Sequence, residues 1–277
     1  MGRIGASAMS QKLKAKSFSI VTLFLLSSLL GLVVLPTASA VNETTKGTVT
    51  GVETWTGTMN LQGDVEVAEG AKLIVNAGTT VNIPYGNYID VKGAICIGDS
   101  ACGASAGSSS SQARFIWTTP SDYSETGRCL NNQSQLLNNP DTACGSGMII
   151  RDTIDQSLTS LNYAHFENGY GYPTYVATLQ QVQYGVLVFD GSSTTARGLT
   201  FKDTNTSNVL AIDFASPTIS DSEFSLGIDG QGYDAAAVRA YGAGAGILST
   251  FKVATSVFTG NDADCGQQGG GRAVIYV

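Results

Sequence analysis

DVEVAEGAKLIVNAGTTVNIPYGNYIDVKGAI, from Asp64 to Ile95, carries apolar residues at a fixed interval. Val65, Leu73, Val81 and Ile89 are each eight apart, and so are Val67, Val75, Ile83 and Val91. Each pair has the i, i+2 spacing that puts both side chains on one face of a strand. Between the pairs lie Glu69-Gly70, Ala77-Gly78 and Tyr85-Gly86, where glycine supplies the backbone freedom of a sharp corner. The unit is a short strand, a corner and another short strand, repeated. Regular strands at this spacing predict an all-β stack.

Upstream of the stretch, residues 1–40 read as an export signal. Arg3, Lys12, Lys14 and Lys16 make a basic start, Ser17 to Leu35 is an uncharged apolar run, and Pro36-Thr-Ala38-Ser-Ala40 is a small-residue cleavage signature. That layout predicts a secretory signal peptide cut after Ala40, with a retained signal anchor as the alternative. Either way the remainder, 41–277, is expected outside the cell, secreted or at the cell surface, with no membrane association once the signal is removed. All four leader charges are basic, so of 15 Lys and Arg the exported part keeps 11 against 22 Asp and Glu, a formal net charge of −11. Such a surface excludes nucleic acid as a partner and suits an anionic polysaccharide only if calcium bridges the two.

All five cysteines, Cys96, Cys102, Cys129, Cys144 and Cys265, fall in the exported part. In an oxidising compartment the preferred pairs are local, Cys96 with Cys102 and Cys129 with Cys144, although four cysteines allow three connectivities. Cys265 is left over. No Cys-x-x-Cys occurs and the single histidine is His165, which argues against zinc.

Along the chain, Val41 to Thr58 is a polar lead-in whose Trp55 could cap the open end of a stack. Cys96 to Gln112 is rich in Gly and Ser and reads as a loop, and Arg114-Phe-Ile-Trp-Thr-Thr resumes the strand signal. Phe115 lies 26 residues after Ile89, near the 24 that separate Val65 from Ile89. Pro120 to Ser146 is a second polar excursion. A different pattern then recurs, ending in Phe166, Phe201, Phe224 and Phe258, with gaps of 35, 23 and 34 residues. The 23 reads as one bare rung and the longer gaps as rungs with inserted loops, because strands must keep register while corners need not.

The Asp64 to Ile95 run, with the later repeats ending in Phe, resembles the secreted right-handed parallel β-helix proteins, the pectate-lyase-like superfamily in the broad sense. The resemblance implies three short strands per coil of about two dozen residues, stacked into parallel sheets with ladders of like side chains inside. A meander of antiparallel hairpins is the rival, since it too gives short strands with glycine corners. The strand-like ending Arg272-Ala-Val-Ile-Tyr-Val277 leads to the expectation that further rungs, and a partner thiol for Cys265, lie beyond residue 277.

The resemblance also implies polysaccharide lyases and hydrolases as possible relatives. Their arginine-and-aspartate or Gly-His-Gly patterns do not gather here: Arg151-Asp152, Arg197, Lys202-Asp203 and Arg239 are scattered, and His165 sits in Ala-His-Phe as a strand residue. Asp221 and Glu223, two apart and so on one strand face, are the weak catalytic candidates, against the simpler reading of a solvated face. Asp229 and Asp234 lie in a Gly-Asp loop that could hold structural calcium, and no other cofactor is expected. Tyr170, Tyr172 and Tyr175 cluster with Tyr184 in a long insertion, where tyrosines could stack on sugars or pack the loop onto the stack. The expectation is a non-enzymatic surface protein for adhesion, glycan binding or structure, with extracellular glycans or cell-surface partners. The alternative is a polysaccharide lyase or glycoside hydrolase.

Overall fold

The eight-residue interval is one side of a three-sided coil. Val65 lies in strand Val65–Val67, Leu73 in Lys72–Val75 and Val81 in Thr80–Ile83, and these strands belong to three different sheets. The fourth step returns to the first sheet, where Ile89–Val91 pairs parallel with Val65–Val67, placing Val65 beside Ile89 and Val67 beside Val91. The computed structural model describes residues 44–119, 145–176, 181–204, 206–225, 236–241, 252–259 and 275–276. The predicted signal peptide lies outside them, as do Cys129, Cys144 and Cys265.

The described chain winds as a right-handed parallel β-helix. The antiparallel meander is excluded by the parallel pairing between successive coils. The first sheet stacks Gly47–Val49, Val65–Val67, Ile89–Val91, Met148–Ile150, Gln181–Asp190, Ser207–Ile212, Val238–Ala240 and Ile275–Tyr276. The second stacks Val52–Trp55, Lys72–Val75, Ala94–Ile97, Ser160–Asn162, Thr195–Arg197, Thr218–Ser220 and Lys252–Ala254. The third stacks Thr58–Asn60, Thr80–Ile83, Ala113–Trp117, Ala164–Glu167, Thr200–Lys202, Glu223–Ser225 and Val257–Thr259. Coils are numbered below in this order.

Alternation along each strand turns every second side chain into one continuous core. Phe115, Phe166, Phe201, Phe224 and Phe258 form a column behind the third sheet, with successive ring centroids 5.5, 5.2, 5.5 and 4.9 Å apart. Each neighbouring ring pair is worth about 0.5–1.5 kcal/mol beyond the burial of its area. The four repeat-ending phenylalanines thus occupy consecutive coils, and the gaps of 35 and 34 residues are coils with extra chain. Phe115 does not stand over Ile89: it pairs with Val81 in the third sheet, while Met148 stands over Ile89. The 26-residue spacing is therefore not a register, because the chain between Ile97 and Ala113 lengthens coil 3.

Trp55 is fully buried in the inward face of coil 1, in the first strand of the second sheet. Its Nε1–H donates to Glu53 Oε1 at 2.7 Å, and the Thr44 hydroxyl donates to Glu53 Oε2 at 2.7 Å. A carboxylate two residues before the ring therefore also turns inward, and the indole and Thr44 satisfy it. Cys96 and Cys102 are joined by a disulfide, with their Cα atoms 5.8 Å apart. It folds the Gly98 to Gln112 excursion back onto the outer face of the second sheet, where Cys96, Cys102 and Ala104 pack with Ile74.

The corner between the second and third sheets repeats one conformation. Tyr163, Gly198, Asp221 and Thr255 occupy it in coils 4 to 7, with φ of 54°, 64°, 49° and 50°. Each of the first three donates its N–H to a carbonyl of the next coil: Tyr163 to Arg197, Gly198 to Ser220 and Asp221 to Ala254. The left-handed backbone costs energy at the non-glycine positions, and these interstrand bonds offset it at Tyr163 and Asp221.

Candidate binding face

Asp90 is the middle residue of Ile89–Val91, so its neighbours fill the core while it turns outward. It is buried all the same, because Arg151 closes over it. Arg151 directly follows Met148–Ile150, the next strand of the first sheet, and its backbone N–H donates to Val91 O. Its guanidinium grips Asp90 with two bonds, Nε to Oδ1 at 3.0 Å and Nη2 to Oδ2 at 3.1 Å. Nη1 donates to Asp190 Oδ2 at 3.0 Å, one coil further on, and Nη2 also reaches the Tyr172 hydroxyl at 3.2 Å. The guanidinium carbon lies 5.8 Å from the Tyr172 ring centre. Only arginine offers a rigid fork that serves two carboxylates and an aromatic ring together.

The electrostatics follow from this crowding. Burial works against the Arg151 charge, but Asp90, Tyr172 and Asp190 more than compensate and hold its pKa above the ordinary arginine value. Burial pushes the Asp190 carboxyl up; Arg151 pulls it down without cancelling the shift, and Asp213 and Asp152 add to the rise. Asp190 therefore holds its proton more tightly than a surface aspartate. Beside this group, Lys92 pairs with Glu66 at 2.8 Å, and that bond raises the lysine's pKa.

Tyrosines border the arginine. Tyr170 meets Tyr85 edge-to-face with centroids 5.1 Å apart, and Tyr172 meets Tyr88 in the same way at 5.0 Å. Tyr85 and Tyr88 come from the chain leaving coil 2, Tyr170 and Tyr172 from the chain between coils 4 and 5. All four are half-buried. Tyr172–Val176 pairs antiparallel with the first half of Gln181–Asp190, Tyr172 opposite Gly185, the only antiparallel strand pairing among the described strands. Around it the outer face of the first sheet is apolar, with Ile149, Val176, Val188, Leu210 and Ile212 clustered against Tyr172 and Tyr241.

The third sheet carries a network of opposite sign on its outer face. Glu167 accepts from Arg114 at 2.9 Å and from Lys202 at 3.0 Å, with His165 Nε2 at 3.3 Å. Burial raises the Glu167 carboxyl, but the hydrogen bonds from Lys202, His165 and Arg114 outweigh it, and the pKa falls below the ordinary value. Burial pushes His165 down despite the pull of Glu167. A neutral imidazole protonated on Nε2 fits both contacts: Nε2–H donates to Glu167, and Nδ1 accepts from the Thr200 hydroxyl at 2.6 Å.

Of the residues singled out from sequence, Tyr170 packs on Tyr85, and Tyr172, two residues after it, contacts Arg151. Tyr175 is in the same strand, and its side chain lies outside the described residues, as do Asp229 and Asp234. Asp221 and Glu223 do not share a strand face. Asp221 sits in the left-handed corner, with its carboxylate 2.7 Å from Arg197 Nε, while Glu223 begins the next strand and is exposed. Among the described residues, no three His, Cys, Asp or Glu side chains are grouped to hold a metal, and no helix is long and apolar enough to cross a membrane.

Sequence reasoning missed the Arg151 centre, since Arg151 stands 61 residues from Asp90 and 39 from Asp190. A usable signal was present. Aligning the ends of first-sheet strands, Ile89-Asp-Val-Lys92 with Met148-Ile-Ile-Arg151 and Leu187-Val-Phe-Asp190, places these groups in adjacent coils. Comparisons of the chain with family models, with curated proteins and with solved structures found no match.

Proposed function

We propose that this chain is an exported, non-enzymatic β-helix protein of the broad pectate-lyase-like type, secreted or held at a cell surface. On this reading the outer face of its first sheet binds extracellular glycans. The observation that carries the reading is the bordering of the Arg151, Asp90 and Asp190 group by half-buried Tyr172, itself packed edge-to-face on Tyr88 from the corner leaving coil 2. Rings of this kind can cover the apolar face of a sugar, and fixed polar groups beside them can orient its hydroxyls. Asp90, Asp221 and Glu167 are each engaged by cationic partners, an arrangement better suited to holding a surface in shape than to moving protons. The basic, apolar and small-residue order of residues 1–40 supports export.

Binding of the purified protein to a panel of neutral and uronate polysaccharides tests the proposal. Tyr170→Ala together with Tyr172→Ala should weaken retention on the bound polysaccharide by roughly tenfold or more, with the fold intact by circular dichroism. Retention unchanged by the pair would defeat the tyrosine face as the binding surface.

One observation favours the second reading, a polysaccharide lyase or glycoside hydrolase. The Asp190 carboxyl is pushed up by burial even beside the permanent cation of Arg151, the direction a general acid requires. Product release from any polysaccharide, abolished by Asp190→Asn, would establish that reading in place of the first.

A further inference from the structure

The charges around the tyrosines carry the argument one step further, from glycan binding to the kind of glycan. Three cations stand on this face, and all are engaged. Arg239, 9 % exposed in Val238–Ala240, donates Nη1 to Gln183 Oε1 at 2.8 Å and to the Tyr241 hydroxyl at 3.3 Å. Lys92 Nζ is 2.8 Å from Glu66, and the Arg151 guanidinium is divided between Asp90, Asp190 and Tyr172. Against them stand Glu66, Asp90, Asp152, Asp190 and Asp213. Asp152 and Asp213 are exposed and flank Gly191, where an added Cβ would lie 2.6 Å from Asp152 Cβ and 3.3 Å from Asp213 O.

We propose that the tyrosine face takes an uncharged sugar chain and turns away uronate chains, an inference that rests on the glycan-binding reading above. Recognition of a sugar carboxylate needs a guanidinium or ammonium with donors to spare. Here a uronate would meet engaged cations and exposed carboxylates, and like charges placed together across an interface are strongly unfavourable. A neutral sugar meets the same surface differently. Its hydroxyls donate to carboxylate oxygens, which only accept, and its C–H face lies against aromatic rings.

Phe214 adds apolar surface at the opposite edge of the same sheet. It is 53 % exposed with φ of 70°, directly after Asp213 with φ of 48°. Ala215 N–H donates to Ile212 O at 3.0 Å and closes the turn. Two consecutive left-handed residues make a turn that Asn and Gly usually occupy, so a phenylalanine is held there at a cost in backbone energy. Its ring is presented beside Asp213.

Calorimetric titration of the full chain with neutral oligosaccharides (xylo-, cello- and manno-series) and with oligogalacturonate, at low and moderate salt, tests the inference. Binding is expected for at least one neutral series, insensitive to salt, with none for oligogalacturonate. Asp152→Asn with Asp213→Asn, both at exposed positions, should raise oligogalacturonate affinity by roughly tenfold or more, with the fold intact by circular dichroism. Oligogalacturonate bound by the unaltered chain as tightly as any neutral sugar would overturn the inference and leave glycan binding standing. So would a double variant that still excludes it. Absence of binding to every sugar removes the glycan-binding reading itself.

Discussion

The outer faces of the first and third sheets are built around single charges of opposite sign. On the first, one cation, Arg151, serves Asp90 and Asp190; on the third, one carboxylate, Glu167, serves Arg114, Lys202 and His165. Their charged partners differ most in burial. The Asp90 and Asp190 side chains are 9 % and 22 % exposed around Arg151 at 28 %, whereas Arg114 and Lys202 are 49 % and 57 % exposed around Glu167 at 14 %. Each ion pair should therefore matter more to stability on the first sheet. Desolvated charges are costly to leave unpartnered, and exposed ones are rescued by water and screened by salt.

Removing each centre measures that difference. Arg151→Met leaves Asp90 buried without its partner and should cost about 3 kcal/mol in a denaturant titration, with Asp90→Asn in the same chain restoring about half. A loss under a few tenths of a kcal/mol would show that the first-sheet network is as dispensable as a surface pair. Glu167→Gln should cost about 1 kcal/mol and shrink as salt is added, while the Arg151 effect persists. Because the folded Glu167 pKa is lowered, its contribution is present above the ordinary value of 4.5 and is lost as the pH falls through the folded value.

Titration sharpens the comparison further. His165 is the single histidine, so one imidazole signal reports on the third-sheet face. Its pKa should lie below the ordinary 6.5, and lower still in Glu167→Gln, which removes the group that raises it. The unfolded chain then takes up the proton first on acidification, so stability falls as the pH drops from 6.5 towards the folded value. An imidazole titrating at or above 6.5 would contradict the burial described here. Asp190 should show the opposite slope and the smallest effect. With its folded pKa raised, the native state binds the extra proton, so stability falls as the pH rises from the ordinary 3.8 through the folded value. Asp190→Asn should flatten that slope, as followed by thermal melts across the acid range.

How much of this was legible in the sequence depends on what stands between the partners. Val65 and Ile89 could be matched because three uninterrupted corners and two short strands separate them, and the phenylalanine column was visible from its repeating tail. Asp90 and Arg151 could not, since the chain between coils 3 and 4 has no period to count along. Asp221 and Glu223 failed for another reason. Alternation by two holds only while the backbone stays extended, and the left-handed φ at Asp221 ends one strand before Glu223 begins the next. Tyr170 and Tyr172 were recognisable as a cluster because they are neighbours in sequence. Their ring partners Tyr85 and Tyr88 come from coils stacked on them and had no local signature.

The phenylalanine column has a consequence for how such a molecule can change size. Phe166, Phe201 and Phe224 each meet one ring above and one below in nearly the same geometry, tilted by only 10° to 16° from coil to coil. A whole coil could be duplicated or excised between two of them, and the new neighbours would still meet face to face. The bare turn of chain from Phe201 to Phe224 is the natural unit for that operation. Cross-section is set by the three inward ladders, while length is free to vary in whole coils. A binding face laid along the axis would grow or shrink with it.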